Sequence, residues 1–402
     1  MKKKIFIVVC IILLIICGVF LCNFIHEKSL ENTIDNTKFQ IKNNKDIEVY
    51  SDVKVSSFIY DLKGTLIEDF SIDTKELGKK EIIFSYNNED GHKRRGSFYI
   101  NVVDTTNPVI LLSDSYSVTV GYNKNLTDVI MSFDNYDSKP NREIIGEYDL
   151  NIPGIYNLEY KITDSSGNVT SKQFKLNVLK KSKSDTSVKK TYTYFKDVVS
   201  NYKNNDTSIG IDVSKWQGNI DFNKLKENGV EFVIIRIGTQ NGFDGEILED
   251  VYFKNNIEKA KEAGLDVGLY FYSYAKTKEE VLEQAKWIID KLDGMKLELP
   301  IAYDWESWNS FNITNLSLYE FNELAYTFMN YIEKNGYKSM LYGSKYYLIN
   351  VFSTDKTVWL AHYTNKTDYD GKYYIWQMCN DGKVSGINGY VDIDILYKNE
   401  KY

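Results

Sequence analysis

The chain has 402 residues, of which 43% are hydrophobic and 26% charged, a composition typical of several globular domains rather than of a disordered protein. The formal net charge is −7 and no basic stripe follows Ser208, which argues against nucleic acid as a partner. The chain contains only three histidines, too few in any one region for a His-rich zinc site. We therefore expect no metal and no other cofactor.

The four cysteines exclude a disulfide framework outside the N-terminal segment. Three of them lie in the apolar run near the N-terminus, which leaves Cys379 alone in the rest of the chain. A thiol site made of Cys379 and His362 is an alternative that the sequence leaves open. The strand-like surroundings of Cys379 favour the simpler interpretation, a small half-buried residue.

An apolar run from Ile5 to Ile25 follows three lysines at positions 2–4. Its length of about 20 residues is enough for one transmembrane helix. The lysines predict a cytoplasmic N-terminus, so residues 1–27 form a signal anchor and all later domains face the cell-wall side. The alternative is a cleaved signal peptide and secretion, but no Ala-x-Ala pattern follows the run. Lipidation of Cys22 is disfavoured because Leu21, rather than a small residue, precedes it.

Residues 77–102 repeat at 153–178 with a constant offset of 76 residues. Gly78 matches Gly154 and Phe98 matches Phe174, and each copy reads as a strand, a Gly-containing turn and a second strand. Alternating apolar residues around such turns predict β-hairpins.

The second copy resembles bacterial immunoglobulin-like surface domains in its entry, Asp-Thr-Thr-Asn-Pro-Val-Ile at 104–110, and in its exit, Pro-Gly-Ile-Tyr through Asp-Ser-Ser-Gly-Asn at 153–168. We therefore predict two small all-β immunoglobulin-like domains, a diverged one at 28–104 and a second at 105–180. They serve either as spacers or as wall-binding modules. A polar linker at 181–207 follows, with a possible short helix near Tyr194–Tyr202.

From residue 208 to 402 the pattern alternates between apolar runs and helical stretches, which predicts an α/β domain with a mainly parallel sheet. Thr277 and Ser317 each begin a capping box and so predict helices at 278–292 and 318–334, besides one at 251–263. Eight candidate strands suggest an irregular (β/α) barrel whose later helices are short or missing. The runs are Ile209–Val213, Phe232–Ile237, Val267–Tyr272, Pro300–Trp305, Met340–Tyr342, Val358–Ala361, Tyr373–Met378 and Val391–Leu396.

Acidic residues mark the ends of three of these strands. Asp304 and Glu306 flank Trp305, and strand alternation places both carboxyls on one face. Two neighbouring carboxyls perturb each other, so that one keeps its proton near neutral pH. Cleavage of a glycosidic bond needs such a pair, a protonated acid beside an ionised partner. Asp212 lies at the end of the first strand, and Asp392 lies at the beginning of the last. Active sites of (β/α) barrels lie at the carboxyl ends of the strands, which makes such acids candidates for the site.

The domain resembles the glycoside hydrolase family 25 lysozymes, the N-acetylmuramidases of bacteria and phages, from Ser208 to Tyr397. The resemblance rests on Gly-Ile-Asp-Val-Ser-Lys-Trp-Gln-Gly at 210–218, Phe-Val-Ile-Ile-Arg at 232–236, Gly-Leu-Tyr-Phe-Tyr at 268–272, Asp-Trp-Glu at 304–306, Trp-Leu-Ala-His-Tyr at 359–363, Trp-Gln at 376–377 and Gly-Tyr-Val-Asp at 389–392.

The resemblance implies that Glu306 is the general acid and Asp304 its partner carboxylate, with Asp212 and Asp392 as the other acids of the cleft. Asp394 shares a face with Asp392 and is the alternative to it. Arg236, in a buried strand, is expected to pair with a carboxylate. The aromatic residues expected to bind substrate are Tyr270, Tyr272, Trp376, Tyr342 and Tyr363.

The expected function is a membrane-anchored, extracytoplasmic peptidoglycan hydrolase. It would cleave the β-1,4 bond between N-acetylmuramic acid and N-acetylglucosamine, with peptidoglycan glycan strands and the membrane as its partners. The alternative is a non-catalytic wall-binding or scaffold protein on a degenerate lysozyme fold. Retention of the acids at 212, 304 and 306 favours the enzyme.

Overall fold

The computed structural model describes residues 2–43, 45–181 and 192–399. The chain forms two compact units, Met1–Thr106 and Asn107–Tyr402. The first holds an apolar helix and a small β domain, and the second holds another small β domain and the barrel.

The first unit begins with the helix Lys2–Leu30, whose segment Ile11–Leu30 is long and apolar enough to cross a membrane. Signal sequences meet the same criterion, so the helix fits both an anchor and a cleaved signal. A four-stranded sheet follows, and a second pair of strands and a 3₁₀ turn complete the domain. The elements are Gln40–Ile41, Asp46–Glu48, Val55–Ser57 (3₁₀), Ile59–Tyr60, Gly64–Leu66, Gly78–Asn88 and Lys93–Val103.

The β domain of the second unit has the same central hairpin as the first. Its strands Gly154–Thr163 and Val169–Leu179 pair with Leu158 opposite Phe174, and Ile82 lies opposite Phe98 in the first copy. All four side chains are buried, so both predicted hairpins and their inward faces are confirmed. The remaining elements are Val109–Ile110, Ser115–Thr119, the helix Leu126–Val129, Ser132–Phe133 and Asn141–Ile145. The immunoglobulin-like assignment stays a prediction.

The barrel contains eight strands in chain order, one at each predicted apolar run. Each strand lies beside the next, and the first seven are parallel. The eighth runs antiparallel to both the seventh and the first and closes the sheet. Because it is reversed, its beginning lies at the carboxyl ends of the others. The strands are Thr207–Val213, Phe232–Gln240, Asp266–Tyr272, Ile301–Asp304, Ser339–Ser344, Val358–Ala361, Ile375–Lys383 and Val391–Tyr397, and Ile247–Glu249 pairs with the second.

Helices cover the outside of the barrel on its first half. Thr277 and Ser317 form complete capping boxes, and the helices Lys278–Leu292 and Leu318–Lys334 have the bounds predicted from sequence. The later helix Lys345–Asn350 is short, as expected. The other helical elements are Lys215–Gln217 (3₁₀), Phe222–Glu227, Phe253–Glu262 and Trp308–Thr314 (3₁₀).

The segment predicted as a linker differs in its second half. Strand Thr193–Tyr194 pairs with Gly382–Lys383 of the seventh barrel strand, and the helix Phe195–Tyr202 follows it. Phe195 and Val198 are buried in the barrel's hydrophobic core. The barrel domain therefore includes these residues, while 182–191 lie outside the described part of the chain.

Candidate active site

The fourth barrel strand places Asp304 and Glu306 at the carboxyl end of the barrel. The strand ends at Asp304, which is buried, and Glu306 lies beyond it with its side chain exposed. Tyr303 and Trp305 point to the other side, into the core between barrel and helices. Trp305 packs against Phe321 with ring centroids 4.9 Å apart. The predicted alternation of the two faces is therefore confirmed.

The carboxyls of Asp304 and Glu306 interact with each other and are both shifted in pKa. Burial raises the pKa of Asp304 well above its usual range, and the charge of Glu306 and a hydrogen bond between the two groups add to the rise. The Arg236 guanidinium opposes it. Surrounding protein also raises the pKa of Glu306, although its side chain borders solvent, while the hydrogen bond from Asp304 lowers that pKa. Both carboxyls at the mouth of the barrel therefore favour their protonated forms more than free carboxyls do.

A second acidic group lies on the first and eighth strands. Asp212 and Asp392 are direct partners in the antiparallel ladder. Burial, followed by the charges of Asp392 and Asp394, raises the pKa of Asp212 well above its usual range. Burial raises the pKa of Asp392 to about 6 against an opposing backbone hydrogen bond, with a further contribution from the Glu306 charge. Asp392 and Glu306 therefore lie close enough for their charges to interact, and the charges of both also raise the pKa of Tyr363.

Asp394 lies beneath this group and is fully buried. Its Oδ1 accepts a hydrogen bond from Trp359 Nε1 at 2.8 Å, and its carboxyl hydrogen-bonds with Asp212. Burial raises its pKa to about 8. Asp392 is therefore the acid that borders the cleft, whereas Asp394 supports Asp212 from below.

Gln377 connects the acids with the tyrosines, and sequence reasoning missed it. Its Nε2 donates to Asp212 Oδ2 at 2.8 Å, and its Oε1 accepts from Tyr342 Oη at 2.9 Å and from Tyr363 Oη at 3.1 Å. The buried side chain therefore orients one acid and two aromatic rings at once. The signal was its place beside Trp376, since one residue of such a pair must face the inside of the barrel.

The structure brings four of the five predicted aromatic residues to the cleft. Tyr342 and Tyr363 line a cavity of about 550 Å³ together with Glu306. Burial raises the pKa of Tyr270, with the charge of Asp212 adding to it, and burial raises the pKa of Tyr272, with the charge of Asp304 adding to it. These tyrosines are therefore neutral hydrogen-bonding groups beside the carboxyls.

Trp376 is a correction to the sequence-based expectation. Its side chain is only 2% exposed and lies in the core outside the barrel. Its ring packs edge-on to Tyr202 at 5.9 Å, and its Nε1 donates to the His362 carbonyl at 2.8 Å. The alternation of the seventh strand turns Gln377, not Trp376, toward the cleft. Trp216, in the loop that follows Asp212 in the chain, is by contrast 77% exposed.

Arg236 pairs with a carboxylate as predicted, and the partner is Asp250. The Nη2 and Nε atoms of Arg236 both contact a single oxygen, Asp250 Oδ2, at 2.6 and 2.8 Å, and both side chains are buried. Asp250 Oδ2 also accepts the backbone N–H of Lys215. The pair therefore supports the loop after the first strand and keeps a positive charge beneath Asp304.

The thiol alternative is not supported. Burial raises the pKa of Cys379 to about 11, the opposite of what a reactive thiolate needs. His362 Nδ1 instead lies 2.9 Å from Thr367 Oγ1.

Comparison with known proteins identifies this arrangement. The model of glycosyl hydrolases family 25 matches residues 211–387. The autolytic lysozyme of Clostridium acetobutylicum is 31% identical over 46% of this chain, although the match spans only about half, 54%, of that relative. The uncharacterized protein YegX of Escherichia coli K12 is 32% identical over 47% of this chain and 70% of its own length.

Among solved structures, the modular autolysin LytC from Streptococcus pneumoniae is 24% identical, with a TM-score of 0.44, over 60% of this chain and 56% of that chain. The family model covers the strands that carry Asp212, Asp304 and Gln377, and it ends just before the last strand with Asp392. Through its C-terminal domain, the chain belongs to glycosyl hydrolase family 25.

Proposed function

We propose that the chain is a muramidase that cleaves the β-1,4 bond between N-acetylmuramic acid and N-acetylglucosamine in peptidoglycan. The observation that carries the proposal is the interacting carboxyl pair of Asp304 and Glu306 at the carboxyl end of the barrel, with Asp392 close enough for its charge and that of Glu306 to interact. Family membership supports it, as does the name of the clostridial relative, an autolytic lysozyme.

In this proposal Glu306 donates a proton to the leaving oxygen, because burial raises its pKa above that of a free carboxyl and so favours the acid form. The Asp304 carboxyl is close enough to hydrogen-bond with it. Catalytic carboxyls on opposite sides of a scissile bond are about 5 Å or more apart. Asp304 therefore lies on the same side as Glu306. When Glu306 gives its proton to the leaving oxygen, the pair of carboxyls gains one negative charge, which stabilises the oxocarbenium-like state.

We assign the opposite side of the sugar to Asp392. It is half-buried, its pKa of about 6 leaves it largely ionised at neutral pH, and it lies within electrostatic reach of Glu306. An ionised carboxylate there orients either water or the substrate acetamido group for attack. Asp212, held by Gln377 and Asp394, supports Asp392 through the adjoining strand.

The test is digestion of purified peptidoglycan by the chain without its N-terminal helix, with mass analysis of the new reducing ends. Reducing N-acetylmuramic acid is the expected product, and its absence with the Glu306→Gln variant shows that the activity belongs to this site. Binding to peptidoglycan without any new reducing end would favour the rival, a non-catalytic wall-binding protein. Reducing N-acetylglucosamine would refute the choice of bond.

We further propose that the N-terminal helix anchors the enzyme in the cell membrane with its domains on the wall side. Three leading lysines and the apolar segment Ile11–Leu30 support this orientation. Cleavage of the same segment would instead release the enzyme.

A further inference from the structure

The chain that follows Glu306 contacts the second β domain before it returns to the barrel. The fourth strand ends at Asp304, so no sheet hydrogen bond of that strand fixes the acid itself. The backbone N–H of Trp308 donates to the Glu306 carbonyl at 2.8 Å, and the 3₁₀ turn Trp308–Thr314 leads on to the helix Leu318–Lys334. We call residues 307–317 the acid loop, because they follow Glu306 directly in the chain.

Asn312 joins the acid loop to the β domain through three hydrogen bonds. Its Nδ2 donates to the carbonyls of Thr127 and Ile130 at 2.6 and 2.8 Å, and its Oδ1 accepts the Ser132 N–H at 3.0 Å. The side chain is 7% exposed, so these bonds are sheltered from water. Both donors and the acceptor of this amide are therefore used by the β domain.

Aromatic packing runs parallel to these hydrogen bonds. Phe133 of the β domain and Phe311 of the acid loop are each 1% exposed, with ring centroids 5.9 Å apart. Phe311 in turn lies 6.1 Å from the ring of Trp305, the residue between the two catalytic carboxyls. Phe133 and Met131 belong to the hydrophobic core of the barrel domain, not to that of their own β domain.

The β domain also holds the far end of the loop. The N–H groups of Leu318 and Tyr319, in the first turn of the helix after it, donate to the carbonyls of Asp134 and Asn135 at 2.8 and 3.3 Å. Helix N-termini leave such N–H groups without an intrahelical partner, so these contacts satisfy two N–H groups that the Ser317 capping box does not reach.

The strand Ser132–Phe133, which contacts the acid loop, is held in place by other residues of the β domain. Ser132 Oγ accepts from Arg142 Nε at 3.0 Å and lies 2.9 Å from Tyr160 Oη, while Arg142 Nη2 donates to the Ser132 carbonyl at 3.1 Å. Tyr160 and Ser132 are fully buried. A strand held in this way is a rigid surface on which the loop rests.

We propose that the second β domain, through Phe133 and the carbonyls that receive Asn312, positions the acid loop and with it Glu306. Asn312 and Phe133 are positioning residues, since neither touches the cleft. The proposal rests on the proposed muramidase function for its effect on rate. The geometric part, a loop ordered by the β domain, stands on the contacts alone. A displacement of about 1 Å at a reacting group can cost about 10²-fold in rate.

The experiment compares Asn312→Asp with Asn315→Asp in the chain without its N-terminal helix. Both make the same chemical change in the same loop, but Asn315 is exposed and its amide reaches only the Ile313 carbonyl, at 3.5 Å. In Asn312→Asp a carboxylate oxygen faces the Thr127 and Ile130 carbonyls in place of a donor. We expect a fall in kcat of about 10²-fold with little change in KM, and an altered pH profile on the limb set by the acid.

Amide hydrogen exchange across residues 307–317 provides a readout independent of activity. We expect faster exchange there in Asn312→Asp, and neither effect in Asn315→Asp. Phe133→Leu, which keeps an apolar side chain, provides the second variant should Asn312→Asp fail to fold, and the same pair of changes is expected. Unchanged exchange and unchanged kcat in these variants would overturn the proposal. If the variants exchange faster but the parent protein has no activity on peptidoglycan, the positioning of the loop is upheld and the muramidase function is refuted.

Discussion

The proposed role of Glu306 as the acid leads to the most direct test at the scale of single residues. Glu306→Gln keeps the size of the side chain but removes the transferable proton. Because general acid catalysis contributes about 10²–10⁴-fold, we expect kcat to fall at least about 10²-fold with an unchanged melting temperature. Exposed Glu258 provides the matched control, Glu258→Gln, which should retain full activity. Normal turnover by Glu306→Gln would remove Glu306 as the acid.

Asp394 predicts a pH dependence of stability. Its pKa rises from 3.8 to about 8 on folding, so the folded state binds this proton more tightly than the unfolded chain does. The resulting stabilisation is complete at low pH and is lost as pH rises from about 4 through about 8. Asn at this position stays neutral, keeps an acceptor for Trp359 and donates to Asp212.

Asp394→Asn should therefore lose less melting temperature than the parent protein between pH 5 and pH 9, while exposed Asp370→Asn should behave like the parent. Thermal unfolding at the two pH values measures the difference. An equal loss in all three proteins would show that Asp394 is already ionised in the fold.

Trp376 and Gln377 are adjacent in the chain, but Trp376 is a core residue and Gln377 is a site residue, so substitutions at the two positions should have different effects. Gln377→Leu removes the hydrogen bonds to Asp212, Tyr342 and Tyr363. A buried hydrogen bond contributes about 0.5–1.5 kcal/mol, so we expect the loss of three to lower kcat/KM by at least about 10-fold. Trp376→Phe should lower the melting temperature and leave KM unchanged, since the ring faces Tyr202. A raised KM in Trp376→Phe would restore it as a sugar-binding residue.

At the scale of elements, local signals explain which predictions succeeded. The helices 278–292 and 318–334 were predicted to the residue because capping boxes and periodic apolar positions are written in adjacent residues. The repeat likewise predicted both hairpins. The prediction that Trp376 faces the cleft was wrong. An aromatic side chain is as common in a core as in a cleft, and only the register of the seventh strand decides which one it faces. The contact of Asn312 with Ser132 joins residues 180 apart, and no local pattern indicates it.

The helix Phe195–Tyr202 was predicted to lie in the linker but belongs to the barrel domain. A single substitution that removes a buried side chain tests this assignment. Phe195 is 1% exposed within the barrel core, whereas neighbouring Tyr194 is 49% exposed. Burial of a Phe side chain makes Phe195→Ala cost about 3–5 kcal/mol. We expect denaturant unfolding of the barrel to show that loss, and Tyr194→Ala to show little. If Phe195→Ala and Tyr194→Ala both lower the stability only slightly, the segment belongs to the linker and not to the barrel domain.

At the scale of the whole molecule, the second β domain and the barrel share one core, since Phe133 and Met131 are buried with barrel residues. The chain thus has a catalytic unit that begins near Asn107, larger than the domain at 208–402 expected from sequence. In the proposed function, the barrel carries one β domain that is packed into its own core. The spacer or wall-binding role stays a prediction for both β domains.

The N-terminal helix predicts the topology of the whole protein. Lysines at positions 2–4 precede the segment Ile11–Leu30, which is apolar enough to span the bilayer. Cytoplasmic lysines resist translocation, so the N-terminus should stay inside and the rest of the chain outside. Protease added to wall-stripped intact cells should remove both β domains and the barrel and leave a membrane-bound N-terminal fragment. A cytoplasmic marker protein should survive the same treatment, as a control for lysis. A mature N-terminus mapped between about Cys22 and Ser29 would contradict the anchor, because the segment would then be a cleaved signal peptide.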